Sequence, residues 1–364
     1  MGDTNVSGAG VSAAAVDGVA VAGAAADGTS VDGAVLPLRR ASGLHPEHLR
    51  LLAKVARMYH ERGLRQPQIA AELHISQSRV SRLLRQAADS GVVRTVVTLP
   101  TGVYTDIEEA LQARYGLLDA VVVDVGGTSG DVIPALGAAT AIYLDETLTG
   151  GDTVGVSSWS RTLLAAVDAM RPKSAAVVDV VTQILGGVGD PEVQVQATRL
   201  LSRLAELTDA RPVFLPTPGL VSTVAVQRAV VQDDAILEVM STWNELTLAL
   251  VGIGSLEPSS LLRRSGNAIA MAEQGELRDL GAVGDVCLRF FDSGGRLITS
   301  PFNDRVLGIT PEQLLRVSRR VGVAGGERKY SAIRAAVLGG WVNVLVTDLQ
   351  TARRLLAEPA ATAP

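Results

Sequence analysis

A single cysteine, Cys287, stands in 364 residues, which excludes a disulfide scaffold and a cysteine-based zinc site. Only four histidines occur, His45, His48, His60 and His74. Beyond position 74 there can therefore be no His-rich metal centre and no Ser-His-Asp catalytic set. No run of eighteen apolar residues escapes a charge, so a membrane-spanning helix is not expected. No basic segment precedes a compact Leu-rich stretch, so no secretory signal is expected either. These absences predict a cytoplasmic protein. Aromatic residues make up only 3% of the chain. The core must then be built from Val, Leu, Ile and Ala, and stacking on single-stranded nucleic acid is disfavoured. No Walker-type phosphate loop occurs and no cofactor is expected.

The length suits two or three domains. Residues 1–43 are Ala, Gly and Val interrupted by Asp3, Asp17, Asp27 and Asp32, too poor in large side chains to fold alone. They read as a flexible tail, as do residues 358–364. The net charge of −5 hides a division. Residues 39–100 hold eleven Lys and Arg against four Asp and Glu, a net +7, so the rest of the chain carries −12. A compact basic segment on an acidic body is the electrostatic footprint of a nucleic-acid-binding module.

That segment, taken as residues 44–100, is patterned as a helix-turn-helix. Pro46 suits a first helical turn, and Leu49, Leu52, Ala53, Ala56 and Tyr59 recur at helical spacing up to Gly63. Pro67 opens a short second helix carrying Ile69, Ala70 and Leu73. Ser76 is a good N-cap for a third, which turns Val80, Leu83, Leu84 and Ala87 inward and ends near Gly91. Only a tight turn about His74 and Ile75 separates the last two. The outward residues at the start of the third helix are Gln77, Ser78, Arg79, Ser81 and Arg82. Gln and Arg are the side chains able to make bidentate contacts with adenine and guanine in the major groove. Arg85 and Arg65 fit phosphate contacts. The β-branched run 92–99 predicts a strand or wing with Arg94 near the DNA backbone.

Residues 101–118 read as a linker helix, helical from Asp106 to Tyr115. From 119 to 357, strands are expected at 120–125, 153–157, 176–185, 212–215, 247–253, 285–291, 320–324 and 342–346. Helices are expected at 132–148, 162–170, 193–207, 222–231, 311–317, 330–338 and 349–356. Val-rich strands alternating with helices imply an α/β domain with a mostly parallel sheet covered on both faces. In such sheets ligands bind at the carboxyl ends of the strands. Four candidate strands end in small polar loops: Ser157 to Thr162, Gln183 to Gly187, Gly252 to Ser255, and Gly325 to Lys329. Hydroxyls, helix-start N–H groups and Arg161 together suit a phosphate. Asp285, Asp304 and Asp348 read either as pocket carboxylates or as caps and turn formers. Cys287 reads as a core residue of an apolar strand. Lys329 could pair with a phosphate or carboxylate, or form a Schiff base with a sugar aldehyde.

Several of these residues resemble one family. Leu52-Ala53-Lys54-Val55-Ala56-Arg57-Met58-Tyr59, Gln66 with Ile69 and Ala70, and Ile75-Ser76 with Val80-Ser81-Arg82-Leu83-Leu84 are similar to the start of SorC/DeoR-type sugar-binding transcriptional regulators. So are Gly155-Val156-Ser157 with Trp159 and Arg161-Thr162, Leu250 to Gly254, Gly281 to Asp285, Asp304-Arg305, Ala324-Gly325-Gly326 with Lys329, and Val344 to Asp348. The resemblance covers roughly residues 45–357. It implies a DNA-binding domain joined to an effector domain of the phosphosugar isomerase/CoA-transferase-like fold. It further implies a homo-oligomer, dimer or tetramer, that binds a double-stranded operator and a phosphorylated sugar or polyol. The family's phosphate loop maps onto Ser157, Ser158, Trp159, Ser160, Arg161 and Thr162. Other pocket positions map onto Gln183, Gly186, Gly187, Gly254, Asp285 and Lys329. The DNA-contacting set becomes Gln66, Gln77, Ser78, Arg79, Ser81, Arg82 and Arg85. Ser160 departs from the family, which usually has Gly after the Trp. The reading is a regulator of carbohydrate or polyol metabolism and not an enzyme. The alternative is a sugar-phosphate isomerase-like or CoA-transferase-like enzyme carrying a DNA-binding module, for which Asp285 is the strongest general-base candidate.

Overall fold

Pro46 lacks a backbone N–H, and the first turn of a helix has no internal partner for one, so it can open α1 (Pro46–His60) without loss. Glu47 at that end and Arg57 at the other complement the helix dipole. The structure, a computed structural model, describes residues 45–93, 102–126 and 131–358. Leu52, Val55, Ala56 and Met58 of α1 pack against Ile69 and Ala70 of α2 (Gln66–Glu72) and Val80, Leu83 and Ala87 of α3 (Gln77–Asp89). Ser76 caps α3, its Oγ accepting from Arg79 N at 3.3 Å. The turn before it is a Schellman motif: Ile75 N–H donates to Ala70 O at 3.0 Å and His74 N–H to Ala71 O at 3.3 Å. His74 holds the left-handed position of that motif, at φ +50°. Val92 and Val93 form a bend closed by Val93 N–H on Ala87 O. The remainder of the expected wing, with Arg94, lies outside the described residues, as do the tails 1–43 and 359–364.

The second compact unit is built on a seven-stranded, wholly parallel sheet. Its strands are β1 (Asp119–Val123), β2 (Asp152–Val156), β3 (Val178–Gln183), β4 (Arg211–Val213), β5 (Leu248–Gly252), β9 (Arg319–Val323) and β10 (Val344–Asp348). A small antiparallel sheet adds β6 (Gly254–Ser255), β7 (Gly284–Val286) and β8 (Arg289–Phe291). The large sheet runs β1-β10-β9-β5-β2-β3-β4. Successive side chains of a strand point to opposite faces, and both faces are covered. Leu248 and Leu250 accordingly enter one core, while Ala249 and Val251 enter the other; Val344 and Val346 are divided from Leu345 in the same way. The first core is closed by α5 (Val132–Thr147), α6 (Arg161–Ala169) and α7 (Pro191–Thr208). The second takes in α4 (Thr105–Tyr115), α8 (Val224–Val230), α9 (Asp234–Ser241), α10 (Ser260–Arg264), α11 (Met271–Asp279), α12 (Pro311–Arg316), α13 (Tyr330–Leu338) and α14 (Leu349–Ala357), to differing depths.

Both sheet edges are protected. At β4 the edge is three residues long and carries Pro212, which has no N–H to offer. At β1, Glu108 Oε1 accepts the free N–H of Val122 at 2.8 Å. Glu108 belongs to α4, whose Leu111 is fully buried in the core of this unit and whose Tyr115 hydroxyl donates to Leu355 O of α14. The helix expected as a linker is thus packed into the sheet-bearing unit.

Three expectations need correction. The run 285–291 is not one strand, because Cys287 and Leu288, at φ +52° and +60°, turn β7 back into β8. Two-residue hairpins of this hand usually need Asn-Gly. Here Asp285 Oδ2 accepts the N–H of Leu288 at 3.0 Å and holds the turn instead. Cys287 is therefore a buried turn residue and not part of a strand. The set of expected helices is also incomplete: α9 is added, with Ile236, Val239 and Met240 at helical spacing packed on the core, as are the short α10 and α11.

A Cβ in the left-handed region costs about 1–2 kcal/mol, partly offset by the greater chain entropy that glycine loses on folding. His74→Gly should therefore stabilise the protein by up to about 1 kcal/mol, read as a higher midpoint in urea. A lower midpoint would show that the imidazole itself supports the turn.

Candidate functional site

On α3 the buried residues Val80, Leu83 and Ala87 fix which side faces away. Gln77, Ser78, Arg79, Ser81, Arg82 and Arg85 are all exposed. Elsewhere in this unit Arg57 is paired with Glu61 at 2.7 Å and Arg62 with Glu72 at 3.5 Å. Arg79, Arg82 and Arg85 have no acidic partner among the described residues. Three guanidiniums on one short helix repel one another, so this surface favours an anionic partner. Gln66 opens α2 and is half-buried. Gln86, on α3, is instead held by His48 at 3.0 Å, which ties α1 to α3.

In the larger unit the winding direction reverses between β2 and β5. From β2 the chain steps outward to β3 and β4, then returns to β5 on the other side of β2 and continues to β9 and β10. The carboxyl ends of these two strands form the crevice in which open α/β sheets bind ligands. Ser157 lies there, its N–H on Leu250 O and its Oγ accepting from Gly252 N at 3.2 Å. Ser160 follows and caps α6, accepting from Leu163 N at 3.3 Å. A Cβ on Gly252 would lie 3.1 Å from Ser160 Oγ, a tight contact that a side chain there could make only by shifting the hydroxyl by a few tenths of an ångström. The Ser160 hydroxyl engages an N–H that a glycine there would leave to a ligand.

The expected pocket residues divide by what their side chains touch. Ser158 Oγ donates to Leu185 O at 2.6 Å and Trp159 Nε1 to Gly186 O at 3.0 Å. Gln183 Oε1 accepts from Leu215 N at 2.8 Å. All three are buried, and the Ser158 hydroxyl, the Trp159 N–H and the Gln183 side-chain oxygen are engaged by the surrounding loops, while Gln183 Nε2 has no hydrogen-bond partner among the described residues. A Cβ on Gly186 would meet Pro218 O at 2.2 Å, and one on Gly187 would meet Gln183 Nε2 at 2.3 Å. These five residues build the wall of the crevice, and Gln183 Nε2 is their one side-chain polar atom without a partner among the described residues. Thr162 is buried in the first turn of α6.

Arg161, in contrast, is exposed. With Asp168, Gln196, Ser260 and Arg264 it lines an open cleft of about 380 Å³ bounded by α6, α7 and α10. Arg264 carries no sequence signal, because α10 is a single short turn of helix that no periodicity marks. Asp168 is held by Arg199 at 2.8 Å. The cleft thus combines two guanidiniums with a hydroxyl, a donor set that suits an anion.

Asn267 is a second residue that sequence reasoning misses. It is fully buried; its Oδ1 accepts Gly219 N at 2.6 Å and its Nδ2 donates to Val188 O at 3.0 Å. One amide thereby pins the loop after β3, the loop after β4 and the segment that carries α10. No pattern reveals it, because its partners are backbone groups distant in sequence.

Deeper on the β5 side, Asp285 faces Gly254 so closely that a Cβ there would fall 1.9 Å from Oδ1. Burial pushes the Asp285 carboxyl up from 3.8 to about 6, against the lowering effects of the Leu288 N–H and the Lys329 charge. Burial likewise lowers the Lys329 amine, which donates to Ile253 O at 2.7 Å. Asp348, a second candidate carboxylate, is a cap: it accepts from Gly326 N at 2.7 Å and Thr351 N at 2.9 Å. Among the described residues no three His, Cys, Asp or Glu side chains gather as metal ligands, and no helix is long and apolar enough to cross a membrane.

Since the folded protein retains the Asp285 proton up to about pH 6 and the unfolded chain releases it near 3.8, stability should decline as pH rises from about 4 to 6 and then level off. Thermal melts across that window should show Asp285→Asn lacking this decline. Parallel curves for the two proteins would mean that the carboxylate is already ionised at pH 4.

Comparison with known proteins places this geometry. Residues 101–357 match the Sugar-bind family of sugar-binding domains. The chain is 35% identical over 315 residues to the deoxyribonucleoside regulator of Bacillus subtilis (strain 168), covering 85% of this chain and 98% of that protein. It is 31% identical over 315 residues to the sorbitol operon regulator of Klebsiella pneumoniae, with the same coverage. The crystal structure of the full-length sorbitol operon regulator SorC from Klebsiella pneumoniae superposes with a TM-score of 0.64 at 29% identity, over 85% of this chain and 99% of that one. A sugar-binding domain of a transcriptional regulator DeoR from Pseudomonas syringae pv. tomato gives 0.55 at 35% identity, over 70% and 100%. On the family match and these identities, the chain belongs to the SorC/DeoR-type family of sugar-binding regulators.

Proposed function

We propose that this chain is a cytoplasmic, effector-gated transcriptional regulator of a carbohydrate or polyol operon. The observation that carries the reading is the helix α3 with three unpaired outward arginines, in one chain with a sugar-binding family body. Residues 44–100 act as the helix-turn-helix reader and 119–357 as the effector domain. Gln77, Ser78, Arg79, Ser81 and Arg82 face base edges, Arg85 and Arg65 sit toward the phosphates, and Gln66 completes the DNA-contacting set. The relatives named as regulators of deoxyribonucleoside and sorbitol genes support a regulator over an enzyme.

The effector in this reading is a phosphorylated sugar or polyol, held through Arg161 with the hydroxyls of Ser157 and Ser160 close by. Lys329 and Asp285 lie deeper and suit the polar end of the same ligand. The regulator works as a homo-oligomer, dimer or tetramer. Effector binding favours one arrangement of the body domains and so changes how the readers match their half-sites.

Arg79→Ala and Arg82→Ala should each weaken binding to the chain's own operator by about 1–3 kcal/mol in a gel-shift titration. Arg85→Ala should instead weaken binding to all sequences and reduce the salt dependence by about one phosphate contact. If neither Arg79→Ala nor Arg82→Ala alters operator affinity, α3 is not the reading helix. A thermal-shift screen of sugar and polyol phosphates should find a compound that raises stability by about 2.7 kcal/mol at a hundredfold excess over its Kd, with the shift lost in Arg161→Ala. A response to unphosphorylated sugars alone overturns the phosphate reading.

A further inference from the structure

Arg289 is a charged side chain of the interior that the effector reading does not use. It stands in β8 and is buried. The acids whose charges reach it, Asp304 and Glu312, form no ion pair with it among the described residues. A buried charge is costly unless hydrogen bonds satisfy it. Here backbone carbonyls do so: Nε donates to Ile309 O at 3.1 Å, Nη1 to Asn303 O at 2.9 Å and Nη2 to Gly308 O at 3.2 Å. All three carbonyls belong to one strap, residues 303–309. The guanidinium is a rigid planar fork, so it accepts the three oxygens in one arrangement only. Arg289 therefore sets the course of the strap relative to the β7–β8 hairpin, in which Asp285 stands.

The strap in turn is stitched to the crevice wall. Gly186 N–H donates to Leu307 O at 2.9 Å, and Ile309 N–H to Ile184 O at 2.8 Å. Toward the loop after β4, Leu307 N–H donates to Gly219 O at 2.9 Å, and Arg305 O accepts from Val221 N at 3.1 Å. The strap runs so close to the wall that a Cβ on Gly308 would lie 2.9 Å from Leu185 Cδ1. The same wall accepts Ser158 Oγ on Leu185 O and Trp159 Nε1 on Gly186 O. Bonds therefore run without a break from the Asp285 hairpin, through Arg289 and the strap, to the loop that precedes Arg161. We infer that Arg289 is a positioning residue of the crevice: acting through the strap, it keeps the wall 183–187 in register with the hairpin that bears Asp285. The inference rests on the effector reading of the crevice and adds to it a residue that acts through another segment.

Hydrogen exchange of the full chain, read by mass spectrometry, tests it. In Arg289→Met the amides of 184–188 and 305–309 should exchange about tenfold faster, while β10 and the helices α1 to α3 exchange as in the wild type. Arg289→Lys keeps a cation but not the fork, and should show the same local pattern with a smaller rise; it decides the matter if Arg289→Met does not fold. Binding of inorganic phosphate can be followed by the fluorescence of Trp159 and Trp243, whose indole N–H groups bond Gly186 O and Gln183 O of the wall. Both variants should bind phosphate about threefold more weakly or worse, with Arg161 untouched. Unchanged exchange at 184–188 overturns the inference. So does a rise spread equally over β10, which marks a general loss of stability, and so does an unaltered phosphate affinity. A wild type that ignores phosphate overturns the phosphate reading instead, and the exchange pattern alone then decides on Arg289.

Discussion

The close approach of β2 and β5 at their carboxyl ends governs the sheet-bearing unit. Ser157 reaches Gly252 N across the gap, and Ser160 Oγ stands 3.1 Å from where a Cβ on residue 252 would lie. The reversal of winding at this point separates the helices that follow the two strands and opens the crevice. Everything that walls the crevice is then arranged by backbone contacts: Ser158 and Trp159 hold the Leu185–Gly186 carbonyls, and Asn267 holds two loops and the segment bearing α10. Buried polar side chains satisfied by backbone groups rigidify a site more than apolar packing alone, because each has one geometry that leaves no group unpaired. At the open cleft Arg161 has no ion-pair partner among the described residues, while Arg264 is shared with Glu192 at 3.7 Å.

A different balance operates below Gly254. Asp285 supports the strained Cys287–Leu288 turn and is buried enough to resist ionisation, while Lys329 is buried enough to resist protonation. Each charge is favoured by the other and disfavoured by its surroundings. The absence of a Cβ at Gly254 permits this packing, since any side chain would occupy the position of Oδ1. The residues are tied to the fold through the turn and through Ile253 O, so a ligand that engages either carries its effect into β6 and β7.

Much of the fold was legible because its signals are local or periodic. Ser76, Pro46 and Pro67 mark helix starts through their own backbone chemistry, and Val-rich runs mark strands that are buried on both faces. The parallel order of the sheet followed from alternation of strand and helix. What was not legible depends on partners distant in sequence. The 285–291 run looks like one strand because an Asp285 side chain, not an Asn-Gly pair, supplies the turn. The short α10 and Asn267 carry no periodic signal, yet one lines the cleft and the other secures it. In the candidate site, residue types suggested ligand contacts for Ser158, Trp159 and Gln183; only geometry shows that the Ser158 hydroxyl, the Trp159 N–H and the Gln183 side-chain oxygen are taken by loops.

The charge division adds a functional constraint of its own. A body of −8, which is what residues 101–364 carry once the four aspartates of residues 1–38 are set apart, is repelled by DNA at the low ionic strength that attracts the +7 segment. Attraction is then concentrated on a unit where Arg57 and Arg62 pair with Glu61 and Glu72, leaving Arg79, Arg82 and Arg85 of α3, together with Arg50, Lys54 and Arg65, without an acidic partner among the described residues. A uniformly basic protein would bind any duplex through many weak phosphate contacts. Confining the free cations to one small unit makes affinity depend on how well its outward helix is positioned against the groove. For a regulator of the kind proposed, this dependence is what allows a rearrangement of the body to control binding, since the contacts that remain after the helix is displaced are too few to hold DNA.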